Sequence, residues 1–236
     1  MQAQPDMGTF TQPQIVTTSD GPVTLQEYRL RLEGREWVVL HTSALLSNED
    51  ELRFLSKGSH REPYGVALWP SAIALAHEVA SRSDSFSGRR VLELGAGTGL
   101  PGLVAASFRA HVVQTDKHDA ALCMCMRNGQ RNGVDTIEYR RADWSSWDCT
   151  ERFDWVIGSD VLYAERQHSY LREIFEANLF PRGRILLADP FREPAVQFLH
   201  DLEADGWKVG VTKWSVGEEG TPRPIGIFEL SRICQI

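Results

Sequence analysis

The sequence predicts an α/β protein: a doubly wound, mostly parallel open sheet with an N-terminal extension. Three observations carry this. From Arg90 onward, short apolar runs of strand length alternate with amphipathic stretches of helix length. One of these runs, Val91-Leu92-Glu93-Leu94, passes directly into three alternating glycines and then a small-residue helical segment. The last two strand-like runs have no helix between them, so one is expected to run antiparallel at the end of the sheet.

Residues 1–22, polar and rich in Gln, Thr and Pro, read as a flexible arm. They carry neither a basic n-region nor an apolar h-region, so no secretory signal is expected. Residues 23–89 read as an extension packed on the core. Tyr28–Leu32 alternates, Gly34-Arg35 turns, and Trp37–His41 resumes as a strand, which together predict a β-hairpin. Glu49, Asp50 and Glu51 ahead of Leu52 and Leu55 resemble the acidic first turn of a short helix over Asn48–Ser56. Trp69-Pro70 opens a stronger helix, with Leu68, Ala72, Leu75 and Val79 on one stripe and Pro at its start. Ser83–Gly88 is a polar break.

Residues 90–236 form the predicted core. Strands are expected at Val91–Leu94, His111–Thr115, Thr136–Tyr139, Trp155–Gly158, Arg184–Ala188, Lys208–Trp214 and Ile225–Leu230. Helices are expected at Leu100–Phe108, Asp119–Asn132, Gln167–Ala177 and Glu193–Asp205, the last ending before Gly206.

Composition narrows the class. With 236 residues and 42% hydrophobic content, the chain can bury the core of one domain with extra length. A charged share of 24% excludes wholesale disorder. The balance of 25 basic against 32 acidic residues, a net −7, argues against a nucleic-acid binder that relies on counterion release. Cys123, Cys125, Cys149 and Cys234 are too scattered for a disulfide framework, and Cys123-Met124-Cys125 has no second Cys/His pair to complete a zinc site. They read as free thiols in a reducing compartment, and no metal is expected. No apolar run reaches the length of a membrane span. A cytoplasmic protein with no membrane or nucleic-acid partner is the expectation; oligomeric state is left open.

The chemistry concentrates at Glu93-Leu94-Gly95-Ala96-Gly97-Thr98-Gly99. Glycines are needed where a backbone turns sharply or lies against a ligand. A dinucleotide site wants G-x-G-x-x-G, whose third glycine would fall at Leu100. The pattern here is E-x-G-x-G-x-G, and a pyrophosphate would avoid the Glu93 carboxylate, whereas a cationic ligand suits it. Asp116, 21 residues beyond Gly95, closes the second strand and is placed to bind both hydroxyls of a ribose. Asp143-Trp144 closes the third strand, placed for an exocyclic amine and a flanking ring. Three acids in register at successive strand ends beside a glycine turn are a site rather than solvated loops.

On these residues the chain resembles the class I S-adenosylmethionine-dependent methyltransferases. The resemblance covers about Arg90 to Asp189 and implies a seven-stranded, Rossmann-like sheet. It further implies that Gly95, Ala96, Gly97, Thr98 and Gly99 contact the amino-acid part of S-adenosyl-L-methionine, Asp116 the ribose, and Asp143 with the Trp144 main chain the adenine. Leu68-Trp69-Pro70-Ser71-Ala72 and Ser159-Asp160-Val161-Leu162-Tyr163 are similar to methyltransferase family 16, known chiefly for protein lysine methyltransferases. Small-molecule N-methyltransferases commonly carry N-P-P-(Y/F) where this chain has Asp160–Tyr163. Leu187–Arg192 also resembles the family member that acts on the electron-transfer flavoprotein β-subunit.

The resemblance implies that Asp160 and Tyr163 act on the acceptor, with Trp69, Glu93 and Ser159 among the cofactor contacts. Other roles stay open: Trp69 as a core anchor, Asp160 as a helix cap and Tyr163 as packing beneath the sheet. Trp147 and Asp148 read as loop cover. The expected function is N-methylation of a lysine on a protein partner, with an accessible lysine as acceptor. The alternatives are an N-methyltransferase of small aromatic amines or nicotinamide-like acceptors, and a non-catalytic cofactor-binding module. Leu100 and Glu93 disfavour a nicotinamide-dinucleotide oxidoreductase.

Overall fold

Successive residues of a strand face opposite sides of its sheet, and here both sides are apolar. Val91 packs into one hydrophobic layer and Leu92 into the other. Leu186 and Ala188 likewise face the first layer, and Ile185 and Leu187 the second. A sheet buried on both faces must carry helices on both, which is what the β/α rhythm builds.

The computed structural model describes residues 15–18, 21–46, 49–50, 64–217 and 222–232. The extension contains β1 (Ile15–Thr18), β2 (Gly21–Thr24), β3 (Gln26–Leu32), β4 (Arg35–His41), α1 (Pro70–Ser81) and the short α2 (Ser83–Phe86). The core follows as β5 (Arg90–Leu94), α3 (Leu100–Ser107), β6 (His111–Asp116), α4 (Asp119–Arg131), β7 (Glu138–Arg141) and β8 (Phe153–Ser159). It ends with α5 (His168–Asn178), β9 (Leu179–Asp189), α6 (Glu193–Ala204), β10 (Trp207–Val216) and β11 (Arg223–Arg232). Among the described residues no helix is long and apolar enough to cross a membrane.

The sheet has seven strands in the order β10-β11-β9-β8-β5-β6-β7. The five from β9 to β7 are parallel, and β11 is antiparallel to both of its neighbours. The antiparallel strand therefore sits one place inside the edge rather than at the end of the sheet. With no crossover helix, β11 turns back along β10 and inserts between it and β9, a choice of slot that no local sequence pattern encodes. From β5 the chain winds outward through β6 and β7, then returns as β8 on the other side of β5. That reversal opens a crevice at the carboxyl ends of β5 and β8, where ligands of open α/β sheets bind.

Two other expectations shift. Within the segment read as an arm, β1 and β2 pair antiparallel. Val16 there is 1% exposed and packs with Leu25, Leu40, Val66 and Met124. The β-branched run Ile15-Val16-Thr17-Thr18 was the available signal. The polar break contains α2, whose Phe86 is buried against Trp155. Most of the helix expected over Asn48–Ser56 lies outside the described residues, as do residues 1–14 and Cys234.

Helix α1 is buried far beyond its predicted stripe, from Pro70 to Ala80 with few interruptions. Leu30, Trp37 and Val39 of the β3–β4 hairpin belong to the same apolar layer as Ile73, Leu75 and Val79. The hairpin is fastened to α4 through two side-chain amides. Asn128 accepts from Leu40 N (2.7 Å) and donates to Leu40 O (3.1 Å), while Asn132 does the same with Val38 N (3.0 Å) and Val38 O (2.8 Å). Two amides one helical turn apart thus replace a neighbouring strand.

Candidate active site

The register of the parallel strands brings the predicted residues into one row. Leu94 pairs with Thr115 and Ser159 with Ala188, so Gly95 follows beside Asp116, and Asp160 beside Asp189. The site is therefore split across the switch point: a glycine turn after β5, and an acidic pair after β8 and β9.

The glycine turn is held from all sides. Gly95, Gly97 and Gly99 have φ of 60°, 57° and 74°, the left-handed region in which a side chain is strained. A Cβ on Gly95 would approach Val161 to 3.1 Å and the Trp144 ring to 3.4 Å, and one on Gly97 would approach the Gly65 carbonyl to 3.2 Å. Asp116 accepts from Gly97 N (3.2 Å) and from His118 N (2.9 Å). Burial raises the Asp116 carboxyl above its ordinary range against those two bonds. Ala96 N donates to Thr115 O at 2.9 Å, and the buried Thr98 gives its carbonyl to Asn128 Nδ2 at 2.8 Å.

Glu93 lies beneath this turn, 1% exposed. Its Oε2 accepts from Gln114 Nε2 (2.6 Å) and from Gly102 N (3.1 Å), so it braces the first turn of α3. Burial pushes its carboxyl up to about 8, opposed by those two hydrogen bonds. At Gly102 a Cβ would collide with Glu93 and Gln114, which explains a glycine inside a helix. Asp143 is exposed and caps the 3₁₀ turn Trp144–Ser146 by accepting from Ser145 N (2.9 Å) and Ser145 Oγ (2.7 Å); these bonds hold it below its usual range.

The side after β8 and β9 is built from long side chains and a strained backbone. Asp160 has φ of 54° and Phe191 62°, both without the licence of glycine. Asp160 N donates to Ala188 O at 2.9 Å, which closes β8 onto β9. Arg192 Nη1 lies 2.5 Å from Asp160 Oδ1 and 2.9 Å from Asp189 Oδ2, and Arg192 N donates to Asp189 Oδ1 at 2.7 Å. Asp189 is fully buried, and burial raises its carboxyl to about 6 although Arg192 opposes the shift. Tyr163 is 56% exposed at this rim, not packed beneath the sheet. Trp69 is half-buried against Leu45 and Ala67 at the start of α1.

Two participants escape motif reading, Gln114 and Asn128, while Asp189 and Arg192 lie in the stretch Leu187–Arg192, which the resemblance covers without giving either of them a role. Arg192 meets Asp160 across 32 positions and Asn128 meets Thr98 across 30, so no local spacing announces either. Gly65, whose carbonyl faces Gly97, has one available signal, a glycine between a polar stretch and the apolar run Val66-Ala67-Leu68 that leads to Trp69.

The residues fit S-adenosylmethionine. The donor set is two carboxylates at the ends of β6 and β7 beside a turn that cannot accept side chains. Among the described residues, the turn is bonded by Asp116, Gln114, Cys125 and Asn128.

Comparison with known proteins agrees. The chain is 33% identical over 181 residues to the Xenopus laevis histone-arginine methyltransferase METTL23, covering 72% of each. It is 26% identical over 177 residues to EEF1A lysine methyltransferase 3 of Xenopus tropicalis, covering 71% of this chain and 76% of that one. The match to human methyltransferase-like protein 22, 31% identical, covers 62% of this chain but only 39% of the relative's length. Among solved structures, a T. thermophilus 16S rRNA methyltransferase in complex with AdoMet and guanosine aligns at TM-score 0.63 with 16% identity, over 89% of this chain and 51% of that one. The glycopeptide N-methyltransferase MtfA, complexed with sinefungin, aligns at 0.58 with 17% identity, over 70% and 94%. These two show the fold. The sequence profile described as lysine methyltransferase matches residues 46–204, which spans α1, the glycine turn, Asp116, Asp143, Asp160 and Arg192. The chain belongs to this lysine methyltransferase family and is an S-adenosylmethionine-dependent methyltransferase.

Proposed function

We propose that the protein methylates a lysine ε-amine on a protein substrate, with Asp160 and Tyr163 at the acceptor and the row from Glu93 to Trp144, with Trp69 and Ser159, holding the cofactor. The observation that carries the reading is the placement of Asp160. It follows β8 in a strained left-handed conformation, its neighbour Val161 lies against the glycine turn, and Arg192 fixes its carboxylate.

S-adenosylmethionine supplies an electrophilic methyl group on a sulfonium when bound. The chain's task is alignment and exclusion of water. A lysine amine, with a reference pKa of about 10.4, must be neutral to attack. Removing its solvent favours the neutral form, and the Trp69 and Tyr163 rings are the candidate walls. Tyr163 becomes such a wall only when a substrate covers it, since it is now open to solvent. Asp160 accepts a hydrogen bond from the incoming nitrogen and orients its lone pair; the released proton leaves to water, so no strong base is required.

A guanidine acceptor is the second reading, favoured by the similarity to a histone-arginine methyltransferase over 72% of the chain. The extension, residues 23–89, is proposed as an elaboration of a single domain whose core is residues 90–236. A cytoplasmic location suits the free Cys123, Cys125 and Cys149. Incubating purified protein with labelled S-adenosylmethionine and a lysate lacking it tests the reading. Label in one protein band, recovered as methyl-lysine, supports the first reading and methyl-arginine the second. Label confined to small molecules refutes both.

A further inference from the structure

Trp144, whose ring a Cβ on Gly95 would meet at 3.4 Å, also lines a groove of about 300 Å³. Its walls include Trp144, Trp147, Tyr170, Asp148 and Glu173, and no basic side chain lines it. The groove is built rather than incidental. Helix α5 contributes Tyr170, Glu173, Ile174 and Ala177, spaced as one helical face. The opposite loop is pinned by the buried Asn178, which accepts from Trp147 Nε1 (2.8 Å) and donates to the carbonyls of Cys149 (2.8 Å) and Glu151 (2.7 Å).

The charges in the groove are uncompensated. Neither Asp148 nor Glu173 has an ion-pair partner among the described residues. The cation behind the loop, Arg140, is already held by Glu138 (2.6 Å) and Glu151 (2.9 Å). Three half-buried aromatic rings with two open carboxylates form a surface suited to a cation on a long aliphatic stem. Trp144 joins this groove to the glycine turn, because its ring lies 3.4 Å from where a Cβ on Gly95 would stand. The other walls, α5 and residues 147–150, are not assigned to the cofactor by any motif.

We infer that this groove is a subsite for a basic side chain, lysine or arginine, of the protein substrate, flanking the residue to be methylated. The inference rests on the reading of the chain as an enzyme acting on proteins. It revises Trp147 and Asp148 from loop cover to recognition residues.

A fluorescein-labelled octalysine peptide, followed by anisotropy at low salt, tests this. Wild-type protein should bind it, and D148K/E173K should bind at least about tenfold more weakly. A matched reversal on other faces, D84K/E203K, changes net charge equally and should leave binding within about twofold. Tyr170→Phe should bind as wild type and Tyr170→Ala severalfold more weakly. Equal loss in both double reversals, or no loss in D148K/E173K, overturns the subsite in favour of diffuse attraction to an acidic protein. Absence of wild-type binding also overturns it. Cofactor binding by calorimetry separates the two readings: D148K/E173K should keep it, whereas Gly97→Arg should lose it and still bind the peptide. A D148K/E173K variant that loses cofactor binding as well counts against a separate subsite.

Discussion

The two halves of the cleft are made of different material. After β5 the crevice is main chain: three left-handed glycines and backbone N–H donors among small or buried residues. After β8 and β9 it is side chain: Asp160 and Phe191 strained without glycine, a guanidinium shared by two carboxylates, and Tyr163 open to water. A turn that serves one invariant ligand can be over-determined. A rim that must accept a partner is better built from groups that re-pack when the partner arrives.

The sharpest way to break the first half is Gly97→Arg. The side chain would be forced into a left-handed backbone and against the Gly65 carbonyl, so cofactor binding should weaken at least about 100-fold in calorimetry while circular dichroism still reports a folded chain. Unchanged binding would remove the glycine turn from the site.

Asp160→Ala breaks the second half alone. Turnover on the labelled protein band should fall by about 100-fold or more, with cofactor affinity within about threefold of wild type. Full turnover would exclude Asp160 as an acceptor contact.

Glu93→Gln sharpens the contrast by reading burial directly. The Glu93 carboxyl titrates near 8 in the folded chain against an ordinary 4.5, so between those values the folded chain holds a proton that the unfolded chain has released. Stability therefore falls as pH rises through that window, by roughly 1.4 kcal/mol for each pH unit, and levels off above it. Urea midpoints from pH 5 to 8 should show this slope in wild type and lose most of it in Glu93→Gln, whose amide oxygen can keep both hydrogen bonds. A smaller fall between about pH 4 and 6, from Asp189, should remain. Equal slopes in both proteins would mean that Glu93 is hydrated.

Tyr163→Ala should do least to the fold. At 56% exposure its loss should change stability by no more than about 0.5 kcal/mol. Its effect should appear in KM for the protein acceptor, and a stability loss of several kcal/mol would assign the ring to the core instead.

The same division governs what could be read from the sequence. The glycine turn, Asp116 and Asp143 could be proposed from the residues themselves because main-chain geometry demands particular residue types at short spacing. Asp160 and Tyr163 could be proposed only through a family resemblance, because an Asp three residues from a Tyr has no physical signature of its own. Asn128 was illegible, since it bonds Thr98 30 positions away; Arg192 lay in a stretch with a family resemblance, but its contact with Asp160, 32 positions away, is one that only the folded chain brings near. The place of β11 inside the edge was lost for the same reason, since strand order is set by packing rather than by local pattern.

The amide clasp between α4 and the hairpin has a consequence for synthesis. Val38 and Leu40 leave the ribosome 94 and 88 residues ahead of the asparagines that complete their edge. At translation rates of about 5 to 20 residues per second, that edge waits roughly 4 to 19 s with its main-chain donors and acceptors uncovered. During that interval the nascent hairpin is a template for any passing strand. Slowing elongation between codons 40 and 132 should lengthen the exposure and lower the soluble yield without changing a single residue.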